Sequence, residues 1–264
     1  PLTFAALTPD SATAPGQPTV EAMKKLYRWD AINAETRVYG VIGWPVGHSM
    51  SPAFHNAGFD ATEFNGVYLP MTIPPEYEHF KATVLSWLSF EDLHFRGASV
   101  TIPHKQNLLR FVKEREGTIE PLAEKIGAAN TLTVNDDGSL HASNTDYAAA
   151  LDSVCDALSL PRQELAGKRV AVLGAGGAAR AIVAAFAHYG ATVVIYNRTF
   201  DKAEALAKEF NNSPTEQGGK AKVVAARVEK LCDSCCQVYI NCTSVGMHPK
   251  VDESPVPAES ANWE

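Results

Sequence analysis

Two linked motifs in this chain have the residue types and spacing to hold a nucleotide. The first is Gly174-Ala175-Gly176-Gly177-Ala178-Ala179-Arg180, which follows the apolar run Val170-Ala171-Val172-Leu173. A buried strand, a glycine turn and a helix start bring backbone N–H groups close to a pyrophosphate, with the helix dipole behind them. The third glycine of the usual Gly-x-Gly-x-x-Gly pattern is Ala179 here. The second motif is Asn197-Arg198-Thr199, which follows the apolar strand Thr192 to Tyr196. A unit built for NAD places a carboxylate at that point, to accept from the ribose 2′-hydroxyl. A guanidinium suits a 2′-phosphate instead, because its planar fork matches the phosphate oxygens. The two motifs together read as an NADP-binding unit.

Three further segments carry reactive groups. In His48-Ser49-Met50-Ser51-Pro52, two hydroxyls stand at a strand-to-helix turn, where free N–H groups and the dipole can hold a carboxylate. Ser51 also reads as a helix N-cap with Pro52 at the first helical position. In Ser99-Val100-Thr101-Ile102-Pro103-His104-Lys105, the lysine falls in the first turn of a helix expected to start at Pro103. The dipole there opposes a cation by a few tenths to about 1 kcal/mol, a field that favours release of a proton. A solvent-screened surface lysine is the plain alternative. The third segment is Asn130-Thr131-Leu132 with Asn144-Thr145-Asp146. Asp146 precedes an expected helix over 147–158. Its carboxylate either caps that helix or pairs with Lys105 in proton transfer.

The elements that must position these groups alternate in type. Strands are expected over 38–42, 66–71, 97–102 and 130–134, with helices from Ser51, over 75–88 and from Pro103. Beyond the connecting helix come strand 169–173, helix 177–189, strand 192–196, helix 200–210, strand 221–225, a short helix 227–234 and strand 237–241. This alternation predicts an α/β fold with parallel sheets: a substrate domain over 36–146 and a Rossmann-like NADP domain over 147–264. Ligands of such sheets bind beyond the carboxyl ends of the strands, so one crevice between the domains is expected. Residues 1–35 read differently: Leu2 to Leu7 is strand-like, Thr8 to Thr19 is a polar loop, and Val20 to Trp29 has helical spacing. The stretch 211–220 reads as a mobile loop.

Composition narrows the function classes. The chain has 264 residues, 45% hydrophobic and 20% charged, which fits a globular protein with a sizeable core. Its net charge of −7 gives no support to nucleic-acid binding, and no apolar run approaches a membrane span of about 18 residues. No secretory leader is visible and the sequence begins at Pro1. A cytoplasmic setting is expected, or a plastid if a transit segment has been removed. Four of the five cysteines, Cys232, Cys235, Cys236 and Cys242, cluster without a partner set at metal-ligand spacing, so no metal is expected.

Taken in order, these motifs, with Ala129-Asn130-Thr131-Leu132 and Asn241-Cys242-Thr243-Ser244-Val245-Gly246-Met247, resemble the shikimate dehydrogenase family. The resemblance implies that Ser49 and Ser51 bind a substrate carboxylate. It implies that Thr101, Asn130 and Asp146 bind ring hydroxyls with Lys105, and that Lys105 and Asp146 form the catalytic pair. Gly174, Ala175, Gly176, Gly177 and Ala178 would cradle the pyrophosphate. Asn197, Arg198, Thr199 and Lys202 would hold the 2′-phosphate, and Thr243, Ser244 and Met247 would border the nicotinamide. The implied activity is NADPH-dependent reduction of 3-dehydroshikimate to shikimate. The family continues with a tyrosine-containing strand and a glutamine-bearing helix that this sequence lacks, so the C-terminal end of the NADP domain is expected to be missing. Leu2-Thr3-Phe4-Ala5 with Ala14-Pro15-Gly16-Gln17 is similar to the end of a type I 3-dehydroquinate dehydratase barrel. That likeness implies a bifunctional chain with a dehydratase domain. The rival readings are a quinate/shikimate dehydrogenase of broader substrate use, a non-catalytic NADP-binding module left by truncation, and a redox thiol protein.

Overall fold

The computed structural model describes residues 4–14, 16–231, 236–246 and 251–256. The chain divides into two compact units, Pro1–Asn144 and Thr145–Glu264. The division falls two residues ahead of the expected boundary, and the stretch before residue 36 belongs to the first unit.

In the first unit the segment before the sheet has little regular structure. Residues 2 and 3 of the expected strand lie outside the described residues, and among the rest Ala6 makes a lone bridge to Thr19. Helix α1 (Val20–Lys25) is shorter than its spacing predicts, because Arg28 turns left-handed at φ 55° and the chain continues as a 3-10 turn over Trp29–Ala31. The Arg28 side chain then reaches Asp60 and the carbonyls of Phe64 and Gly66, which anchors the segment to the sheet.

The remaining elements of this unit are β1 (Arg37–Gly43), α2 (Ser51–Ala61), β2 (Gly66–Thr72), α3 (Tyr77–Ser89), β3 (Phe95–Val100), α4 (Lys105–Glu114), β4 (Thr118–Ile119), α5 (Pro121–Ile126), β5 (Thr131–Val134) and β6 (Leu140–Ser143). They build a six-stranded sheet of order β2-β1-β3-β5-β6-β4. β1 runs parallel to both β2 and β3, but β5 is antiparallel to β3 and to β6. The sheet is therefore mixed, where parallel strands were expected. For the β5–β6 pair the reason is local: Asn135-Asp136-Asp137-Gly138-Ser139 returns the chain as a tight hairpin, with the Asn135 N–H donating to Ser139 O, so no crossover helix intervenes. Ile42, Val100 and Leu132 from the strands pack with Phe80 of α3 and Leu108 and Phe111 of α4 as a buried core.

Helix α4 is also held from outside. Glu114 at its end takes Lys81 of α3 at 2.7 Å and Arg110 at 2.9 Å, and the Arg110 guanidinium lies 3.7 Å from the Tyr77 ring centroid. Lys81 above all, with Arg110, holds the Glu114 carboxyl down at about 2. A depressed carboxyl adds stability that is complete above its unfolded value of roughly 4.3 and is lost as pH falls through about 2. The melting temperature of the wild-type chain is thus expected to fall more steeply than that of Glu114→Gln as pH drops through that window. Parallel slopes for the two proteins in thermal melts would refute this.

The second unit consists of α6 (Thr145–Leu158), β7 (Arg169–Leu173), α7 (Gly177–His188), β8 (Thr192–Tyr196), α8 (Phe200–Phe210), β9 (Lys222–Ala226) and β10 (Val238–Asn241). Its four strands run in order β10-β7-β8-β9, all parallel. A strand buried on both faces reads as a continuous apolar run, as β7 and β8 do. Alanine-rich α7 is buried from Ala181 through Ala187. The expected helix over 227–234 is a 3-10 turn over Val228–Lys230, and residues 232–235 lie outside the described residues. The stretch 211–220 is a bonded turn, with a bridge between Pro214 and Lys220 and the Thr215 N–H donating to Gly219 O. No helix among the described residues is long and apolar enough to cross a membrane.

Candidate active site and nucleotide-binding loops

In the first unit, β1 and β3 are parallel neighbours, so the loops leaving their carboxyl ends start side by side. They are tied together by the Trp44 N–H donating to Ile102 O at 3.0 Å and the Thr101 N–H donating to Ile42 O at 2.8 Å. Gly43 permits the approach: a Cβ there would come within 2.5 Å of the Thr101 methyl and 2.6 Å of Val46. Asn130 joins the same edge because the Val100 N–H donates to its carbonyl at 2.7 Å. The Ala129 N–H donates to Lys105 O at 3.0 Å. Ser49, Ser51, Thr101, Lys105 and Asn130 are therefore gathered at one end of one sheet, each half-buried. A group of two hydroxyls at a helix start, an ammonium and an amide suits an anionic, hydroxylated small molecule.

Three local expectations change. Helix α2 starts with Ser51 as its first residue and Met50 as the N-cap, and it is the Ser49 hydroxyl that accepts from the Ser51 N–H, at 3.2 Å. Helix α4 begins at Lys105, because His104 first closes a turn by donating its N–H to Thr101 O at 2.8 Å. Asp146 lies inside the first turn of α6, which begins at Thr145, and so does not precede the helix. Asp146 is exposed and belongs to the second unit, two residues past Asn144.

Buried polar residues that sequence reasoning gave no role hold this edge in shape. His104 is fully buried; its Nε2 lies 2.9 Å from Ile73 O and its Nδ1 2.9 Å from Asn107 Nδ2. With the Asn107 amide donating, the ring accepts at Nδ1 and donates from Nε2. Asn144 donates its side-chain amide to Ala128 O at 2.9 Å, and its N–H donates to Glu120 Oε2 at 3.0 Å. The one available signal was their position inside the reactive motifs, beside Lys105 and Asp146.

In the second unit the glycine loop leaves β7 between two other loops. The Gly174 N–H donates to Tyr196 O at 2.7 Å on one side, and the Cys242 N–H donates to Leu173 O at 2.8 Å on the other. Gly174 adopts φ +115°, and a Cβ there would meet Cys242 O at 2.9 Å, so the position calls for glycine. Gly176 and Gly177 open α7 with no atom within 4 Å of where a Cβ would stand, and no side chain caps the helix. Bare N–H groups facing open space are what a pyrophosphate requires.

The flanking loops are internally braced. Asn197 Nδ2 donates to Thr199 O at 2.8 Å, which shapes the turn that presents the exposed Arg198. Among the described residues neither Arg198 nor Lys202 has a carboxylate partner, so both are available to a phosphate. Arg180, though part of the glycine motif, pairs with Glu209 and joins α7 to α8. Asn241, which had been given no role, accepts from the Thr243 N–H at 2.9 Å and hydroxyl at 2.7 Å. Thr243 and Ser244 thus sit on a preformed turn beside the glycine loop, and Met247 lies outside the described residues.

Cys232 and Cys235 of the cysteine cluster lie outside the described residues, and two of the remaining thiols offer little redox chemistry. Burial pushes the Cys242 thiol up to about 11 and raises that of Cys155 as well. Neither carries thiolate near neutrality. Among the described residues no group of three His, Cys, Asp or Glu side chains could hold a metal ion.

Comparison with known proteins agrees with both halves of this arrangement. The family model described as Shikimate dehydrogenase substrate binding domain matches residues 41–132, and the one described as Shikimate / quinate 5-dehydrogenase matches 158–239. The chain is 38% identical to the chloroplastic bifunctional 3-dehydroquinate dehydratase/shikimate dehydrogenase of Arabidopsis thaliana, over 97% of this chain and 41% of that protein. It therefore spans well under half of that relative's length. It is 40% identical to the shikimate dehydrogenase (NADP(+)) of Caldanaerobacter subterraneus, over 86% of this chain and 75% of the relative. A solved shikimate 5-dehydrogenase from Thermus thermophilus, in complex with NADP(H) and shikimate, superposes with a TM-score of 0.66 at 32% identity, covering 85% of this chain and 75% of that one. With both halves matched in order and at these identities, the chain belongs to the shikimate dehydrogenase family.

Proposed function

We propose that the chain is an NADP-dependent oxidoreductase of the shikimate pathway: 3-dehydroshikimate, NADPH and a proton give shikimate and NADP+. The observation that carries this reading is the gathering of Ser49, Ser51, Thr101, Lys105 and Asn130 at the carboxyl edge of β1 and β3. The open glycine loop and the unpaired Arg198 in the second unit fit NADP. The named activities of the relatives support it.

Each residue then has a task. The Ser49 and Ser51 hydroxyls at the start of α2 take the substrate carboxylate. Thr101 and Asn130 orient the ring hydroxyls. The cofactor, when bound, supplies or accepts the hydride. The Lys105 ammonium stabilises negative charge developing on the ketone oxygen and delivers the proton there. By the family resemblance, Asp146 would share in the proton transfer.

The N-terminal segment supports a second activity on the same native chain. The match to the bifunctional plant relative takes in 97% of the chain, against 86% for the dehydrogenase of Caldanaerobacter. The difference is about the size of the stretch before β1. Gln17, in the segment similar to the end of a dehydratase barrel, accepts from the Thr13 N–H at 2.9 Å within its own loop. A plastid setting goes with this reading, since that relative is chloroplastic.

The deciding assay follows NADP+ reduction with shikimate, beside NAD+ and beside quinate. Turnover confined to shikimate and NADP+ is expected, with NAD+ weaker by about tenfold or more for want of the 2′-phosphate contacts. Comparable rates with quinate would favour the broader quinate/shikimate activity. Tight NADP+ binding without turnover would favour a non-catalytic module.

A further inference from the structure

We propose that Arg227, which belongs to none of the nucleotide-binding motifs, is a second guanidinium of the 2′-phosphate subsite and a determinant of NADP over NAD. The inference rests on the NADP reading above. β8 and β9 are parallel neighbours, with Tyr196 opposite Ala226. The next residue on each strand is Asn197 on one and Arg227 on the other, so both leave the sheet together at its carboxyl edge. Neighbouring strands stand about 4.8 Å apart, which leaves a side chain as long as arginine's within reach of a ligand on the adjacent loop.

The Arg227 guanidinium lies 4.9 Å from the centroid of the Phe200 ring. Phe200 is the first residue of α8, immediately after the Asn197-Arg198-Thr199 turn. An aromatic ring can order a guanidinium while its N–H fork stays available. Among the described residues Arg227 has no carboxylate partner, and the same holds for Arg198 and Lys202. Two other arginines of this unit are paired, Arg162 with Asp152 and Arg180 with Glu209. Carboxylates stand close by in sequence, Asp201 after Thr199 and Glu229 after Arg227. Three unneutralised cations at one sheet edge, in a chain of net charge −7, make a local positive site that a dianionic phosphate would neutralise.

The test is calorimetric titration of the whole chain with NADP+ and with NAD+, for the wild type, Arg227→Met and Phe200→Leu. Arg227→Met keeps an apolar stem on the ring and removes the fork. It is expected to weaken NADP+ by about 5-fold or more while NAD+ changes by less than about 2-fold. Phe200→Leu removes the ring but leaves the charge, and should give a smaller loss confined to NADP+. An unchanged NADP+ affinity in Arg227→Met would overturn the proposal, as would equal weakening of both nucleotides, which is the mark of a packing role. A wild type that binds NAD+ as tightly as NADP+ would overturn the NADP reading itself.

Discussion

Lys105→Ala is expected to lower kcat for shikimate oxidation by about 10²- to 10⁴-fold, the span of general acid–base catalysis, or roughly 3 to 5 kcal/mol of barrier. The loss should be confined to chemistry. Lys105 is the first residue of α4, and it is its backbone carbonyl, which alanine retains, that binds the Ala129 N–H. Alanine also favours the helix, so the edge that carries Asn130 should persist. NADP+ binding, proposed for the loops of the second unit, should stay within about twofold of wild type, since sites without shared partners act independently. Steady-state rates beside a direct NADP+ titration check both points. Near-normal turnover would remove the role assigned to this lysine. Joint loss of turnover and NADP+ binding would instead indicate general unfolding.

Asn56→Ala is expected to lower stability strongly while leaving the reactive residues in place. Asn56 is only 2% exposed. Its Oδ1 accepts from the Tyr68 N–H at 2.8 Å, and its Nδ2 donates to Tyr68 O at 2.8 Å and to Leu26 O at 2.9 Å. β2 is an edge strand, so on that side the Tyr68 backbone has no neighbouring strand to pair with. The carboxamide supplies both missing bonds and fastens the N-terminal segment as well. Truncation leaves three backbone groups without partners, at a cost of about 2 to 4 kcal/mol. At about 2 to 4 °C per kcal/mol for a protein of this size, the melting temperature should fall by roughly 5 to 15 °C. Thermal and urea unfolding should agree. A change below about 1 kcal/mol would mean that water replaces the amide at little cost.

How much of this was legible depended on whether a feature was local. β7, β8 and α8 fall over the residue ranges their patterns predict. Each is an apolar run or an amphipathic stretch bounded by turn residues, and a strand buried on both faces leaves little ambiguity. β6 was missed although Asp137-Gly138-Ser139 marks a hairpin, because Leu140 to Ser143 is too short to show a period. The exchange of roles between Ser49 and Ser51 turned on one residue of helix start, which helix-end patterns do not resolve. Asn56, His104 and Asn144 looked like ordinary polar residues. Their partners are Tyr68, Ile73 and Ala128, at separations of 12, 31 and 16 residues.

The residues alone determined the kinds of chemistry on offer: a glycine turn for a pyrophosphate, an arginine where a carboxylate would signal NAD, hydroxyls and a lysine at helix starts. Each of these follows from side-chain type and a few neighbours in sequence, because backbone freedom, charge and helix ends act over one or two turns. Only the tertiary structure decided that β3 lies beside β1, that β5 turns back against β3, and that Arg227 emerges next to Asn197. Strand neighbours are chosen by packing and by pairings between distant segments, whose energy no local pattern records. Which reactive groups meet at one sheet edge is therefore a property of the folded chain.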